Sequence, residues 1–237
     1  MTREIFADPQ ALAHHVADWL LALANAKTGR FALCLSGGST PKRLYELLAT
    51  APYRDSFPWS RTHLFWGDER FVPHDDALSN YRMVREALLT HINIPATNIH
   101  AVPTEHTGPA AAAAAYEHDL KSFYGSDRLD PARPLFDVNL LGLGEDGHTA
   151  SLFPGTTVLT EREHWAAPVI GAKAEARITL TYLALESATQ VAFLVEGDGK
   201  RAILQRLGRE PDLPAARLHP TGRTTWFLDR AAVGGSN

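Results

Sequence analysis

The sequence predicts an α/β protein built on a parallel sheet with helices on both faces. Three observations carry that expectation. Short apolar runs alternate with amphipathic stretches along most of the chain, the pattern of strand followed by helix. Glycine-rich loops stand where several of those apolar runs stop, at Gly37-Gly38, Gly67, Gly142–Gly147 and Gly197–Gly199. The 237 residues, 45% of them apolar, suffice for one sizeable core. One domain over 1–237 is expected, because the segments near Pro131–Pro134 and Glu210–Pro214 look like loops and not like interdomain linkers.

The elements follow in order. Asp8-Pro9 starts a helix, with Asp as N-cap and Pro at the first helical position. Leu12, Val16, Trp19, Leu20 and Leu23 then recur at helical spacing. Phe31–Leu35 is a short strand. Thr40-Pro41 opens the next helix, whose apolar face is Leu44, Leu47 and Leu48. His63–Trp66 is a strand, and Ser79 caps a helix carrying Met83, Val84, Ala87 and Leu88. The run Ala110–Ala115 is strongly helix-forming, with Leu120 and Phe123 extending its buried face. Val138–Leu143 is a buried strand, Arg177–Tyr182 alternates as a half-exposed one, and Val191–Val195 is another. Lys200–Leu207 is a helix stopped at Gly208, and Thr224–Leu228 is a last strand.

Composition excludes several classes. A formal net charge of −4 supplies no basic footprint for nucleic acid. A single cysteine forbids an intrachain disulfide and a multi-cysteine zinc site, and Cys34 sits in an apolar run as a core residue. The start, MTREIFADPQ, lacks a basic region followed by an apolar one, and no apolar run approaches a membrane span. A soluble cytoplasmic protein without nucleic-acid or membrane partners is expected. No metal is expected either: there is no His-x-x-x-His pair, and adjacent His14 and His15 point to different helix faces. His91, His100, His118 and His219 are read as ordinary surface or core residues.

The chemistry concentrates in four loops. In open α/β sheets, ligands sit beyond the carboxyl ends of the strands. After Val138–Leu143 come Asp146 and His148, an acid/base pair in type, since His moves a proton near neutral pH. The same pair would also fit a solvated turn. Ser36–Pro41 offers paired glycines, two hydroxyls and a coming helix N-terminus; it suits a phosphate, or equally a tight turn with a Thr N-cap. Asp68, Glu69 and Arg70 follow the strand at His63–Trp66. Arg70 could hold a phosphate or a developing oxyanion while Asp68 meets sugar hydroxyls; equally Asp68 and Arg70 could ion-pair, or all three adjacent charges could form a surface cluster. Lys200 stands in the first turn of its helix, the wrong end for a cation unless an anion lies there; snorkelling on the surface is the alternative. A parallel sheet gathers all four loops along one edge.

Other motifs are absent or misplaced. Gly142, Gly144 and Gly147 match the spacing of a dinucleotide fingerprint, but Pro154-Gly155 would stop the helix that should follow. Neither a Walker loop nor Gly-x-Ser-x-Gly occurs, so Ser36, Ser39 and Ser151 are read as turn or hydrogen-bonding residues.

The ordered set LSGGSTP at 35–41, FWGDERFVP at 65–73, SNYR at 79–82, GLGEDGHTASLFPG at 142–155, RITLT at 177–181, VEGDGK at 195–200 and WFLD at 226–229 resembles the 6-phosphogluconolactonases, within the superfamily that includes glucosamine-6-phosphate deaminase. The resemblance spans most of the chain. It implies a three-layer α/β/α fold of the glucosamine-6-phosphate-deaminase type, with a mostly parallel, Rossmann-like central sheet. It implies hydrolysis of 6-phosphoglucono-δ-lactone to 6-phosphogluconate in the oxidative pentose phosphate pathway, with no required metal or organic cofactor. By the same resemblance His148 looks like the residue that activates water. Gly37, Gly38, Ser39 and Thr40 look like phosphate contacts joined by Lys200. Arg70 serves phosphate or carbonyl, and Asp68 and Asp146 line the site. Glu145 receives no role. The expected partner is the small sugar-phosphate substrate, and the expected state a monomer or small homo-oligomer. Two alternatives are kept. A deaminase would carry a glutamate soon after the histidine, where this chain has Thr149–Phe153. A non-catalytic sugar-phosphate sensor would carry an added DNA-binding domain, for which 237 residues leave no room.

Overall fold

Phe31–Leu35 is buried at every residue, which requires cover on both faces of the sheet it belongs to. The computed structural model, which describes residues 2–106 and 108–234, supplies that cover. The elements run β1 (Thr2–Phe6), α1 (Pro9–Ala26), β2 (Phe31–Leu35), α2 (Ser39–Leu48), α3 (Tyr53–Ser56), β3 (Thr62–Trp66), β4 (Asp68–Arg70), α4 (Asn80–Ala87), β5 (Ile99–His100) and α5 (Pro109–Tyr124). They continue β6 (Phe136–Leu141), β7 (Ala166–Val169), β8 (Arg177–Leu180), α6 (Tyr182–Glu186), β9 (Ala188–Val195), α7 (Arg201–Leu207), β10 (Arg223–Asp229) and α8 (Arg230–Val233).

Seven strands form one all-parallel sheet in the order β1-β10-β9-β6-β2-β3-β5. Helices α1, α2 and α4 pack on one another in turn, whereas α5 packs against a second sheet of order β4-β8-β7, which is antiparallel. The core runs through the large sheet: Val16, Leu20, Leu33, Leu64, Val138 and Leu140 are fully buried, and the Phe193 and Trp226 rings stack with centroids 3.9 Å apart.

Local signals set the helix starts. Asp8 caps α1 by accepting from the Ala11 amide at 2.8 Å, with Pro9 at the first position. Ser79 caps α4 by accepting from the Arg82 amide at 3.1 Å. Other expectations are corrected. Helix α2 begins at Ser39 with Gly38 as its cap, so Thr40 is not an N-cap. Helix α7 begins at Arg201, and Lys200 belongs to a preceding 3₁₀ turn, Asp198–Lys200. The segment read as half-exposed is buried throughout Arg177–Leu180, because β8 is the middle strand of the second sheet. Its polar alternation is satisfied internally: the Thr179 hydroxyl donates to the Leu180 carbonyl and the Thr181 hydroxyl to the His164 carbonyl. Strands β1, β4, β5 and β7 are short or polar and carry no readable period.

Candidate active site

Strands β9, β6, β2 and β3 are consecutive in the sheet, so the loops at their carboxyl ends stand side by side. Those loops are the four singled out from the sequence.

The loop after β6 folds on itself. The Gly144 amide donates to the His148 carbonyl at 2.8 Å, and the Gly147 amide to the Gly144 carbonyl at 3.0 Å. Gly147 takes φ +87°, and a Cβ on Gly144 would stand 2.0 Å from His148 Nδ1, so both positions need glycine. Asp146 Oδ1 accepts from the His148 amide at 3.1 Å and lies 2.5 Å from His148 Nδ1. Burial pushes the Asp146 carboxyl up, but hydrogen bonds from the His148 ring and amide, with the His148 and Lys173 charges, hold it below the usual range. An ionised Asp146 keeps the proton on Nδ1 and leaves the Nε2 lone pair for the cleft. The Phe153 ring backs the imidazole with centroids 4.6 Å apart. Ala150 adopts φ +48°, a strained conformation for a residue with a Cβ, on the cleft wall.

The loop after β2 is pinned by Tyr45, whose hydroxyl accepts from the Ser36 amide at 3.0 Å and donates to the Ser36 carbonyl at 2.9 Å. Gly38, at φ +109°, leaves the first turn of α2 without a side-chain cap. A Cβ on Gly37 would meet Asn80 Oδ1 at 2.1 Å, so glycine here admits Asn80 from α4.

The loop after β3 holds a buried carboxylate. Glu69, 1% exposed, accepts from the amides of Arg70, Asn80 and Tyr81 at 2.7 Å each and from the Ser79 hydroxyl at 3.1 Å. Burial pushes its carboxyl up, and the amide bonds hold it partly down. The carboxylate at the start of α4 also suits the helix dipole. Asp68 and Arg70 form no ion pair among the described residues. Asp68 Oδ2 accepts from the Ser151 hydroxyl at 2.5 Å, its carbonyl accepts from Asn80 Nδ2 at 3.0 Å, and Arg70 Nη1 donates to the Leu78 carbonyl at 2.5 Å. At the end of β9, Lys200 makes no ion pair among the described residues and faces the same cleft.

That cleft holds about 270 Å³. It brings together Gly37, Gly38, Asp68, Arg70, His148 and Lys200. Ser39 and Thr40 are not on its wall; they stand in the first turn of α2. Asp146 lies behind His148 and faces an adjoining cleft of about 570 Å³ instead. The larger cleft is the poorer in convergent polar groups, so size does not mark the chemistry here. Sequence reading gave no role to Asn80 or Thr149, both on the wall of the smaller cleft. Asn80 lay in the SNYR motif beside a visible cap, the one signal available. No group of three or more His, Cys, Asp or Glu among the described residues is placed to hold a metal. No helix among them is long and apolar enough to cross a membrane.

Residues 7–226 match the family model described as glucosamine-6-phosphate isomerases/6-phosphogluconolactonase. A 6-phosphogluconolactonase of Nostoc sp. is 43% identical, over 98% of this chain and 96% of its own. The crystal structure of 6-phosphogluconolactonase from Thermotoga maritima superposes with a TM-score of 0.83 at 29% identity, covering 96% of this chain and 99% of its own. A monomeric glucosamine-6-phosphate deaminase superposes with a TM-score of 0.82 over 99% of both chains at 20% identity, a likeness of fold alone.

Proposed function

The chain belongs to the glucosamine-6-phosphate isomerase/6-phosphogluconolactonase family, and from that premise we propose that it is a lactonase: it hydrolyses 6-phosphoglucono-δ-lactone to 6-phosphogluconate in the oxidative pentose phosphate pathway. The observation that carries the reading is the convergence of one aspartate-bound imidazole with a glycine loop and two cations in a cleft of about 270 Å³.

A lactone is an activated ester, so no covalent nucleophile is required. His148 Nε2 takes a proton from water as the oxygen attacks the carbonyl carbon, and returns it to the departing ring oxygen. Asp146 fixes the tautomer and stabilises the imidazolium that forms between those steps. Asp146 thus acts through His148 and not on the substrate. The amides of Gly37 and Gly38 receive the phosphate together with Lys200, and the uncapped first turn of α2, in which Ser39 and Thr40 stand off the cleft wall, adds its dipole. Arg70, held by Leu78, faces either the phosphate or the oxyanion. Asp68 ties the histidine loop to β4 through Ser151. Phosphate binding, remote from the bond that breaks, positions the ring for attack. The catalytic unit spans 1–237 and works in the cytoplasm as a monomer or small homo-oligomer.

The test is hydrolysis of freshly generated 6-phosphoglucono-δ-lactone by the purified protein. Acceleration well above the spontaneous rate is expected. Ammonia release from glucosamine 6-phosphate without lactone hydrolysis would replace this reading with the deaminase, and binding without turnover would replace it with a sensor.

A further inference from the structure

The turn that carries His148 hangs from one rung of the second sheet. Asp68 of β4 and Thr179 of β8 are direct partners in the antiparallel pairing, so their side chains leave the same face. Ser151 binds both. Its hydroxyl donates to Asp68 Oδ2 at 2.5 Å, and its amide donates to Thr179 Oγ1 at 3.2 Å. The Thr179 hydroxyl gives its own proton to the Leu180 carbonyl, which leaves its oxygen to accept from Ser151. Ser151 is fully buried, so it touches no ligand and is no nucleophile.

Residues 149–152 have few other ties. The Thr149 hydroxyl donates to the Gly142 carbonyl at 2.9 Å, and the Leu152 amide to the Thr149 carbonyl at 3.0 Å, both within the loop after β6. Among the described residues, the hydrogen bonds that join 149–152 to another element both start from Ser151. Between Ser151 and His148 lies Ala150, at φ +48°. A residue with a Cβ keeps that conformation only where its surroundings over-determine it. Ser151 fixes one end of the strained link, and the His148 carbonyl, which accepts from the Gly144 amide, fixes the other. The link therefore sets the direction in which the imidazole leaves the turn. The same bond takes up Oδ2 of Asp68 while Asn80 holds the Asp68 carbonyl, so Oδ1 is the carboxylate oxygen left for the cleft.

We propose that Ser151 is a positioning residue for lactone hydrolysis: its hydroxyl, latched to Asp68, fixes the turn that aims His148 at the reacting carbon. The inference rests on the lactonase reading and adds to it a residue, buried behind the site, on which kcat depends. A base displaced by about 1 Å loses rate even where ligand binding survives. The phosphate contacts at Gly37-Gly38 and Lys200 come from other loops, so ground-state binding is largely independent of the latch.

Steady-state kinetics with 6-phosphoglucono-δ-lactone and the imidazole NMR signals of the variants test this. Ser151→Ala should lower kcat by about tenfold and change KM by less than about twofold. Ser151→Cys, nearly the same in shape but a weak donor, should lower kcat in the same direction. In Ser151→Ala the ring signal of His148, identified by its loss in His148→Ala, should shift or broaden. The ring signal of His100, identified by its loss in His100→Asn, should stay in place. Wild-type kcat in either Ser151 variant, a rise in KM as large as the fall in kcat, an unmoved His148 signal, or equal disturbance of the His100 signal would overturn the latch and leave the lactonase reading standing. Wild-type protein that does not turn over the lactone removes both.

Discussion

Among the described residues stand two histidine–aspartate pairs whose chemistry on paper is the same. His148 Nδ1 lies 2.5 Å from Asp146, and His100 Nδ1 lies 2.9 Å from Asp119. Their surroundings differ. The other nitrogen of His100 is 3.1 Å from His63 Nδ1, and its ring stacks on Phe65 with centroids 4.2 Å apart, under Phe123 of α5. Both nitrogens are occupied and the pair is packed on the β3–β5 side of the sheet. His148 sits instead in a glycine turn at a strand end, with Nε2 free among the described residues and a cleft before it. An Asp–His pair becomes a candidate base only when the backbone leaves one nitrogen unspent and a ligand-sized space in front of it.

The largest expected effect separates the two pairs directly. His148→Ala should lower turnover of the lactone by about a hundredfold to ten-thousandfold with the melting temperature preserved. His100→Asn should leave turnover within about twofold and lower the melting temperature, as loss of a packed, hydrogen-bonded ring does. The reverse outcome would exchange their roles. Next comes the aspartate: Asp146→Asn should reduce kcat by about tenfold to a hundredfold with KM little changed, because it frees the imidazole to take the wrong tautomer. An unchanged kcat would reduce the 2.5 Å contact to turn architecture. Smaller again, Lys200→Ala should weaken 6-phosphogluconate by about tenfold, read by calorimetry; unaltered affinity would remove Lys200 from the phosphate.

The smallest effect belongs to the packed pair. Burial, then the charges of His100 and Arg30, push His63 down from 6.5 to about 4 against the pull of Asp119. The fold holds His63 neutral while the unfolded chain takes up the proton. Stability from this group is therefore complete above pH 6.5 and falls as pH drops from there toward 4. His63→Gln should flatten that part of a urea-midpoint titration. A profile unaffected by His63→Gln would place the pH sensitivity elsewhere.

Much of the site was legible because its signals are local. Glycines that precede a helix, a histidine just past a buried strand, and a lysine at the unfavourable end of a helix each betray a strand end in a short stretch of sequence. Residues whose function comes from partners far along the chain were not legible. Glu69 reads as one of three charges in a surface cluster, yet it is buried and clasps the start of α4. Asn80, on α4, reaches the cleft only because Gly37, in the loop after β2, has no side chain. The polar alternation of Arg177–Tyr182 suggested exposure, yet Arg177–Leu180 is the buried middle strand of a second sheet.

Sequence by itself determined the alternation of strand and helix, the caps at Asp8 and Ser79, and the four loops that stand side by side at the strand ends, because backbone conformation and hydrophobic period act over a few residues. Tertiary structure decided which strands are neighbours, which acid touches which base, and which of two similar histidines keeps a free nitrogen. Those outcomes depend on contacts between segments as far apart in the chain as Thr2 and Thr225, whose pairing is set by the packing of the whole sheet.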